Sequence, residues 1–204
     1  MLLFLDLISS IPEFTIIEDN KVILRQEIIS KESDKLSDNI IQSYIEINNK
    51  LNLTEKLSKI VTTIGPGSYT SLRVGCAFIS GLKLAKNVLF APLSMKEIFD
   101  FKSDIYKTDS LGIFISSSNN QKFFCTKNNI GYMEYIKIDN SSFLLPDNIK
   151  TILFNSEKLD LDNQKVKQLK FSFLDELLKY SDKLIFLKDN IIRPIYISNN
   201  KILN

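Results

Sequence analysis

Between Lys59 and Asn87 the chain reads KIVTTIGPGSYTSLRVGCAFISGLKLAKN, and no other stretch narrows the choice of folds as much. The β-branched run Ile60–Ile64 predicts a strand, Gly65, Pro66, Gly67 and Ser68 predict a tight turn, and the residues beyond predict a helix. A strand that feeds a tight turn into a helix leaves the free N–H groups of the first helical turn at the strand's end. Such a turn either cradles an anion or simply packs. Ser68 or Thr70 is the expected N-cap. Along the helix Leu72, Val74, Phe78, Ile79, Leu82 and Leu84 point in almost every direction, which predicts an element covered on all sides. Ala77, Gly81 and Ala85 recur every four residues, and Ser71 with Gly75 makes a second row of small side chains, so neighbouring backbones can approach closely. Gly75 and Gly81 each cost roughly 1 kcal/mol of helix propensity relative to alanine, a cost that close packing offsets.

The flanking segments fit an α/β chain. Leu2–Leu7 suits a strand buried on both faces, and Phe14–Glu18 and Val22–Ile28 continue it as an antiparallel meander around Asp19 and Asn20. A helical pattern opens at Ser33, with Asp34 in its first turn and apolar residues at Leu36, Ile40, Tyr44, Ile47 and Leu51. Ile41 and Ile45 lie about 120° around from that stripe at ~100° per residue, giving the helix a second apolar flank. Val88–Ala91 is a short strand, and Ser94 caps a helix from Met95 to Phe101 with Glu97 at its third position. The polar stretch Lys102–Ser110 is the expected boundary between two lobes, residues 1–104 and 105–204, with the last residues packing back on the first. Strands follow at Leu111–Ser116, Lys122–Lys127, Tyr132–Ile138 and Lys150–Phe154. Next come a helix opened by Ser172 and Asp175 and short β segments at Leu184–Leu187 and Ile195–Ile197. Two lobes of βββ-plus-helix grammar, the second abbreviated, are the expectation.

Composition limits the chemistry. The 204 residues contain no histidine, which removes imidazole bases, imidazole metal ligands and Ser/His/Asp triads together. The net charge is +2, with lysines spread along the whole length, which gives no broad nucleic-acid footprint. Cys76 and Cys125 are the only cysteines and have no CxxC spacing, so a reducing, cytoplasmic location is expected; the segment MLLFLDLI has no basic n-region and Asp6 interrupts its apolar run too early for a signal peptide or membrane span, so it is expected to be a buried first strand.

Several residues carry two readings. The GPGS turn lacks the lysine of a Walker loop, so it is either an anion cradle or a turn with a helix cap. Arg73 is an anion or partner ligand, or a snorkelling side chain. Asp6 either holds a metal or water at a strand's end or caps the turn there. The clusters Ser9–Ser10 and Ser116–Ser117–Ser118 are phosphate loops or ordinary turns, and Lys165, Lys167 and Lys170 mark a solvated helix face or an RNA contact.

The run GPGSYTSLRVGCAFISGLKLA, followed by a short strand and LSMKEI, resembles the TsaB (YeaZ) family of tRNA threonylcarbamoyladenosine biosynthesis proteins, in which it typically reads GPGSFTGLRIG before an alanine- and glycine-rich helix. The likeness is strongest from Ile64 to Ile98. More loosely, Leu5–Asp6 matches an Asp-Thr-Ser turn, Ser33–Ile40 a His-Ser-Glu-led helix, and Pro194–Ile197 a Pro-x-Tyr-Leu tail. Leu7 and Ile8 stand where the family has small hydroxyl residues, Glu32 at the usual histidine, Ser71 at a glycine, and Ser116–Ser118 at an Asp-Ala-Arg-like turn.

The resemblance implies an actin-like ATPase superfamily (ribonuclease H-like) fold and a subunit with no catalytic group, cofactor or metal of its own. It implies a heterodimer with a TsaD-type enzyme that modifies adenosine 37 of tRNA, joined by a TsaE-like ATPase. The tRNA would be met only through that complex, and the free chain would form a homodimer. The implied interface is a helix bundle of Leu36, Ile40, Ile41, Tyr44 and Ile45 with Leu72, Gly75, Cys76 and Ile79. Asp6, Gly65, Pro66, Gly67, Ser68, Thr70 and Arg73 would then be vestiges of a phosphate site. The competing expectation is a metal- or ATP-dependent enzyme of the same superfamily, a small-molecule phosphotransferase or glycoprotease-like hydrolase.

Overall fold

In the computed structural model of the chain, residues 1–29, 34–128, 130–138, 143–156, 158, 166–188, 191–198 and 201–203 are described. The first half supplies β1 (Leu2–Asp6), β2 (Glu13–Glu18), β3 (Lys21–Glu27), α1 (Leu36–Leu51), α2 (Leu53–Lys56), β4 (Lys59–Thr63), α3 (Tyr69–Lys86), β5 (Leu89–Leu93) and α4 (Met95–Lys102). The second supplies β6 (Leu111–Ser116), β7 (Lys122–Lys127), β8 (Met133–Ile138), β9 (Thr151–Phe154), β10 (Lys167–Lys170), α5 (Phe173–Tyr180), β11 (Tyr196–Ser198) and β12 (Lys201–Leu203).

The first sheet has the order β3-β2-β1-β4-β5. Its first three strands are antiparallel neighbours, and β4 and β5 add on in parallel. The second sheet, β10-β9-β6-β7-β8, read from its other edge repeats that order and those directions strand for strand. The second sheet is therefore complete in its strands. The β10 strand occupies Lys167 and Lys170, expected on a helix face, while Lys165 lies outside the described residues. Within Leu184–Leu187, Leu187 forms a single bridge to Phe90 on the edge strand β5.

β1 is the axis of the first half because it is apolar on both faces: Leu3, Phe4 and Leu5 are fully buried. Leu5 is registered with Phe14 of β2, and the Phe14 ring meets Tyr44 of α1 and Phe78 of α3 with centroids 6.4 and 5.7 Å apart. Tyr44 and Phe78 close the triangle at 5.5 Å, so three aromatic contacts of ~0.5–1.5 kcal/mol each seat α1 and α3 on this face. The helix over which Ser33 was the expected start begins at Leu36, after Lys35, and Ser33 itself lies outside the described residues. α4 is opened by a capping box: Ser94 accepts from the Lys96 N–H, and the Glu97 carboxylate accepts from the Ser94 N–H at 2.8 Å.

The second sheet alternates. Ile113, Ile115, Phe123, Cys125 and Leu153 join the core shared with the first half. Phe114, Phe124, Ile152 and Phe154 face the other way, under Leu145 and Ile149. Gly112 is required on that second face, since the Phe124 ring sits where a Cβ would go. Three ion pairs tie the α4 segment to the second half: Asp100 with Lys127 at 2.6 Å, Lys102 with Glu176 at 2.5 Å, and Asp104 with Lys183 at 2.8 Å.

Candidate functional site

The carboxylate of Asp6 ends β1 and is buried, and both of its oxygens are occupied from within the chain. Oδ1 accepts from the Ile8 N–H at 2.9 Å, the Ser9 N–H at 3.2 Å and the Thr63 hydroxyl at 3.2 Å, while Oδ2 accepts from the Ser9 hydroxyl at 2.6 Å. Burial raises the Asp6 carboxyl above its ordinary range, and the bonds from Ser9, Ile8 and Thr63 draw it part of the way back. Asp6 is thus a turn cap, the plainer of its two readings. Among the described residues no group of three carboxylate or thiol side chains is arranged to hold a metal ion.

The loop after each sheet's first strand is pinned in the same way. Thr63, at the end of β4, accepts from the Leu7 N–H at 2.7 Å; Asn155, just past β9, accepts from the Ser116 N–H at 2.8 Å and donates back to its carbonyl at 2.9 Å. Each pinning residue stands one position past the last registered pair between its sheet's first and fourth strands, Leu5 with Thr62 and Phe114 with Phe154. The Ser117 N–H donates to the Gln121 carbonyl. The amides of Leu7, Ile8, Ser9, Ser116 and Ser117, which a phosphate would need as donors, all have partners inside the chain.

The glycine-proline turn between β4 and α3 is packed likewise. Gly65 has φ +116°, and a Cβ there would lie 2.5 Å from the Ile195 carbonyl oxygen. On Gly67 a Cβ would sit 3.5 Å from Cγ1 of Ile8 and 3.8 Å from Cβ of Ser117, so the turn lies against both first-strand loops. Ser68 is the N-cap of α3, its hydroxyl facing the Ser71 N–H at 3.5 Å and its carbonyl taking the Leu72 N–H, while Thr70 lies exposed within the helix. Ser71 Oγ stands 3.4 Å from Ser118 Oγ, and Arg73 is exposed beside Tyr196.

The helical residues expected at a partner interface divide sharply. Leu36, Ile40, Leu72, Cys76 and Ile79 are buried in the chain's own core, and a Cβ on Gly75 would collide with the Leu7 side chain. A side chain sealed inside one chain offers no surface to another, so these six are core residues. Burial also pushes the Cys76 thiol up to about 12, which leaves it inert as a nucleophile. Ile41 and Ile45 remain outside at 60% and 43% exposure, with Tyr44 half-buried between α1 and α3.

α3 is likewise not covered on every side. Thr70, Arg73, Ala77, Gly81, Leu84 and Ala85 form an exposed stripe, flanked by half-buried Val74 and Phe78. Nothing lies within 4 Å of where a Cβ on Gly81 would be. Of the two small-residue rows, Ser71–Gly75 packs inward and Ala77–Gly81–Ala85 faces out. Ile41 and Ile45 of α1 and the Ala77–Gly81–Ala85 row of α3 are thus among the apolar and small residues that the helix pair leaves exposed.

A family model described as TsaD, tRNA N6-adenosine threonylcarbamoyltransferase, matches residues 23–174. No curated protein matches the sequence. Among solved structures, YeaZ from Pseudomonas aeruginosa superposes with a TM-score of 0.57 at 10% identity, over 96% of this chain and 99% of that one. Another, described as an uncharacterised protein with similarity to peptidase YeaZ from Pseudomonas aeruginosa, gives 0.59 at 11% identity over 97% and 99%. At these identities the superpositions establish a shared fold.

Proposed function

The chain belongs to the TsaD family, matched over residues 23–174, and on that premise we propose that it is a non-catalytic subunit of a tRNA-threonylcarbamoylating complex. In this reading it binds and stabilises a TsaD-type enzyme, which transfers the threonylcarbamoyl group to adenosine 37 of tRNA, and a TsaE-like ATPase joins the pair. The tRNA is met through the complex, and the free chain pairs with itself through the same helices. Its fold is then an actin-like one of two lobes whose nucleotide site has lost its use.

The observation that carries the proposal is the internal pairing of the amides that directly follow each sheet's first strand, Leu7, Ile8 and Ser9 in one and Ser116 and Ser117 in the other. A transferring phosphate needs free donors and an available carboxylate or metal. Here Thr63, Asn155, Gln121 and Asp6 take the loop amides, and the amides and hydroxyls around Asp6 take its oxygens. The exposed residues of α1 and α3 support the docking half of the reading, since Ile41 and Ile45 offer apolar area and the open Ala77–Gly81 row lets a partner helix approach closely.

Co-expression with the cognate TsaD-type protein, followed by size-exclusion chromatography, is the direct test. Co-elution at micromolar concentration is expected, and separate elution contradicts the proposal. Titration calorimetry of the isolated chain with ATP and Mg²⁺ addresses the enzyme reading: no heat of binding is expected, and tight binding would favour a phosphotransferase or hydrolase.

A further inference from the structure

We propose that the segment Ile191–Ser198 acts as a clasp that holds the two sheets in one relative orientation. This goes beyond the docking role and does not depend on it. The Ile195 N–H donates to the Ile64 carbonyl at 2.7 Å, immediately before the glycine-proline turn. The Ile195 carbonyl in turn comes so near Gly65 that only a residue without a side chain fits. One residue further, the Tyr196 ring lies 4.5 Å from the ring of Tyr69, the first residue of α3. These contacts fasten the segment to the first half.

The same segment is also attached to the second half. β11, which begins at Tyr196, lies against β8, the edge strand of the second sheet. From the opposite side, Ser118 reaches Ser71, and the Ser117 loop backs onto Gly67. The start of α3 is therefore gripped between a loop of the second half and the clasp. Any rotation of one sheet against the other would have to break the Ile195–Ile64 bond and slide Tyr196 off Tyr69. The ion pairs of Asp100, Lys102 and Asp104 sit on another part of the contact between halves, so the two sheets are held at two separated places. A surface presented by α1 and α3 then keeps one fixed relation to the second half.

The test uses the full chain with spin labels on Asn49→Cys and Tyr132→Cys, both exposed and one in each half; Cys76 and Cys125 are buried. Ile195→Pro deletes the N–H that donates to Ile64, and Tyr196→Ala deletes the ring on Tyr69. Ile195→Pro is expected to broaden the label-to-label distance distribution and to speed amide exchange over residues 64–72 by about tenfold, the worth of one hydrogen bond. Tyr196→Ala is expected to act in the same direction, less strongly. If Ile195→Pro does not fold, Tyr196→Ala decides alone. A distribution as narrow as that of the unmodified chain in the folded variants overturns the proposal.

Discussion

The two halves share one strand order but bury their sheets differently. The second sheet covers one face with the first half and the other with Leu145 and Ile149 from the segment between β8 and β9. The first sheet carries α1 and α3 on one face, and this helix pair has an outer side that neither sheet uses. Folding demands one apolar face per covering helix, whereas α1 and α3 each have more. What the first half has in excess of the second is thus an apolar outer surface, and that excess is where a partner is expected. At their first-strand loops the halves converge instead, each pinned by a side chain at the end of its fourth strand.

The sharpest way to break this contrast is at the glycines of α3. Gly75→Leu should destabilise the chain by about 3 kcal/mol, because the new side chain meets Leu7 in a filled core. Gly81→Leu should leave stability unchanged or raise it by up to ~1 kcal/mol through helix propensity, while abolishing co-elution with the partner. Thermal and urea unfolding measure both, and equal losses at the two positions would erase the inner and outer distinction.

The loop equivalence predicts equal costs in the two halves. Thr63→Val and Asn155→Leu each leave a loop amide without its acceptor, so each should lose about 1–3 kcal/mol in urea unfolding. A loss at only one of them would show that the pins are not counterparts.

The smallest effect distinguishes the two loops by charge, since Asp6 has no ionisable counterpart at Ser116. Burial raises the folded-state pKa of Asp6 above its unfolded value, so the folded chain holds this proton to higher pH. The associated stabilisation is complete below the unfolded value of ~3.9 and is lost as pH rises through the folded value. The stability of the unmodified chain relative to Asp6→Asn should therefore fall as the pH is raised across that window. A relative stability that rises with pH would mean that the hydrogen bonds outweigh burial.

Much of the fold was legible because period and turn chemistry are local signals. The runs Leu2–Leu7, Phe14–Glu18 and Leu111–Ser116, and the Ser94/Glu97 capping box, appear where their patterns place them. β10 was missed because Lys-Gln-Leu-Lys carries no strand signal of its own; it is set by pairing with β9. The orientation of α3 was also hidden. Ser71–Gly75 and Ala77–Gly81 have the same spacing, and only the position of Leu7 decides which row turns inward. The saturation of the Asp6 loop was out of reach for a similar reason, since Thr63 is 57 residues away from Asp6. The Ile41–Ile45 flank, by contrast, is legible from helical phase alone.

In the proposed function this chain contributes a docking surface, and the chemistry of tRNA modification is left to its partner. Mass spectrometry of threonylcarbamoyladenosine in cells depleted of the protein and supplied with variants tests it most directly. The unmodified chain and the loop variant Ser9→Ala are expected to restore the modified nucleoside, and Gly81→Arg, folded but with a blocked outer face, is not. Restoration by Gly81→Arg together with failure of a folded Ser9→Ala would contradict it.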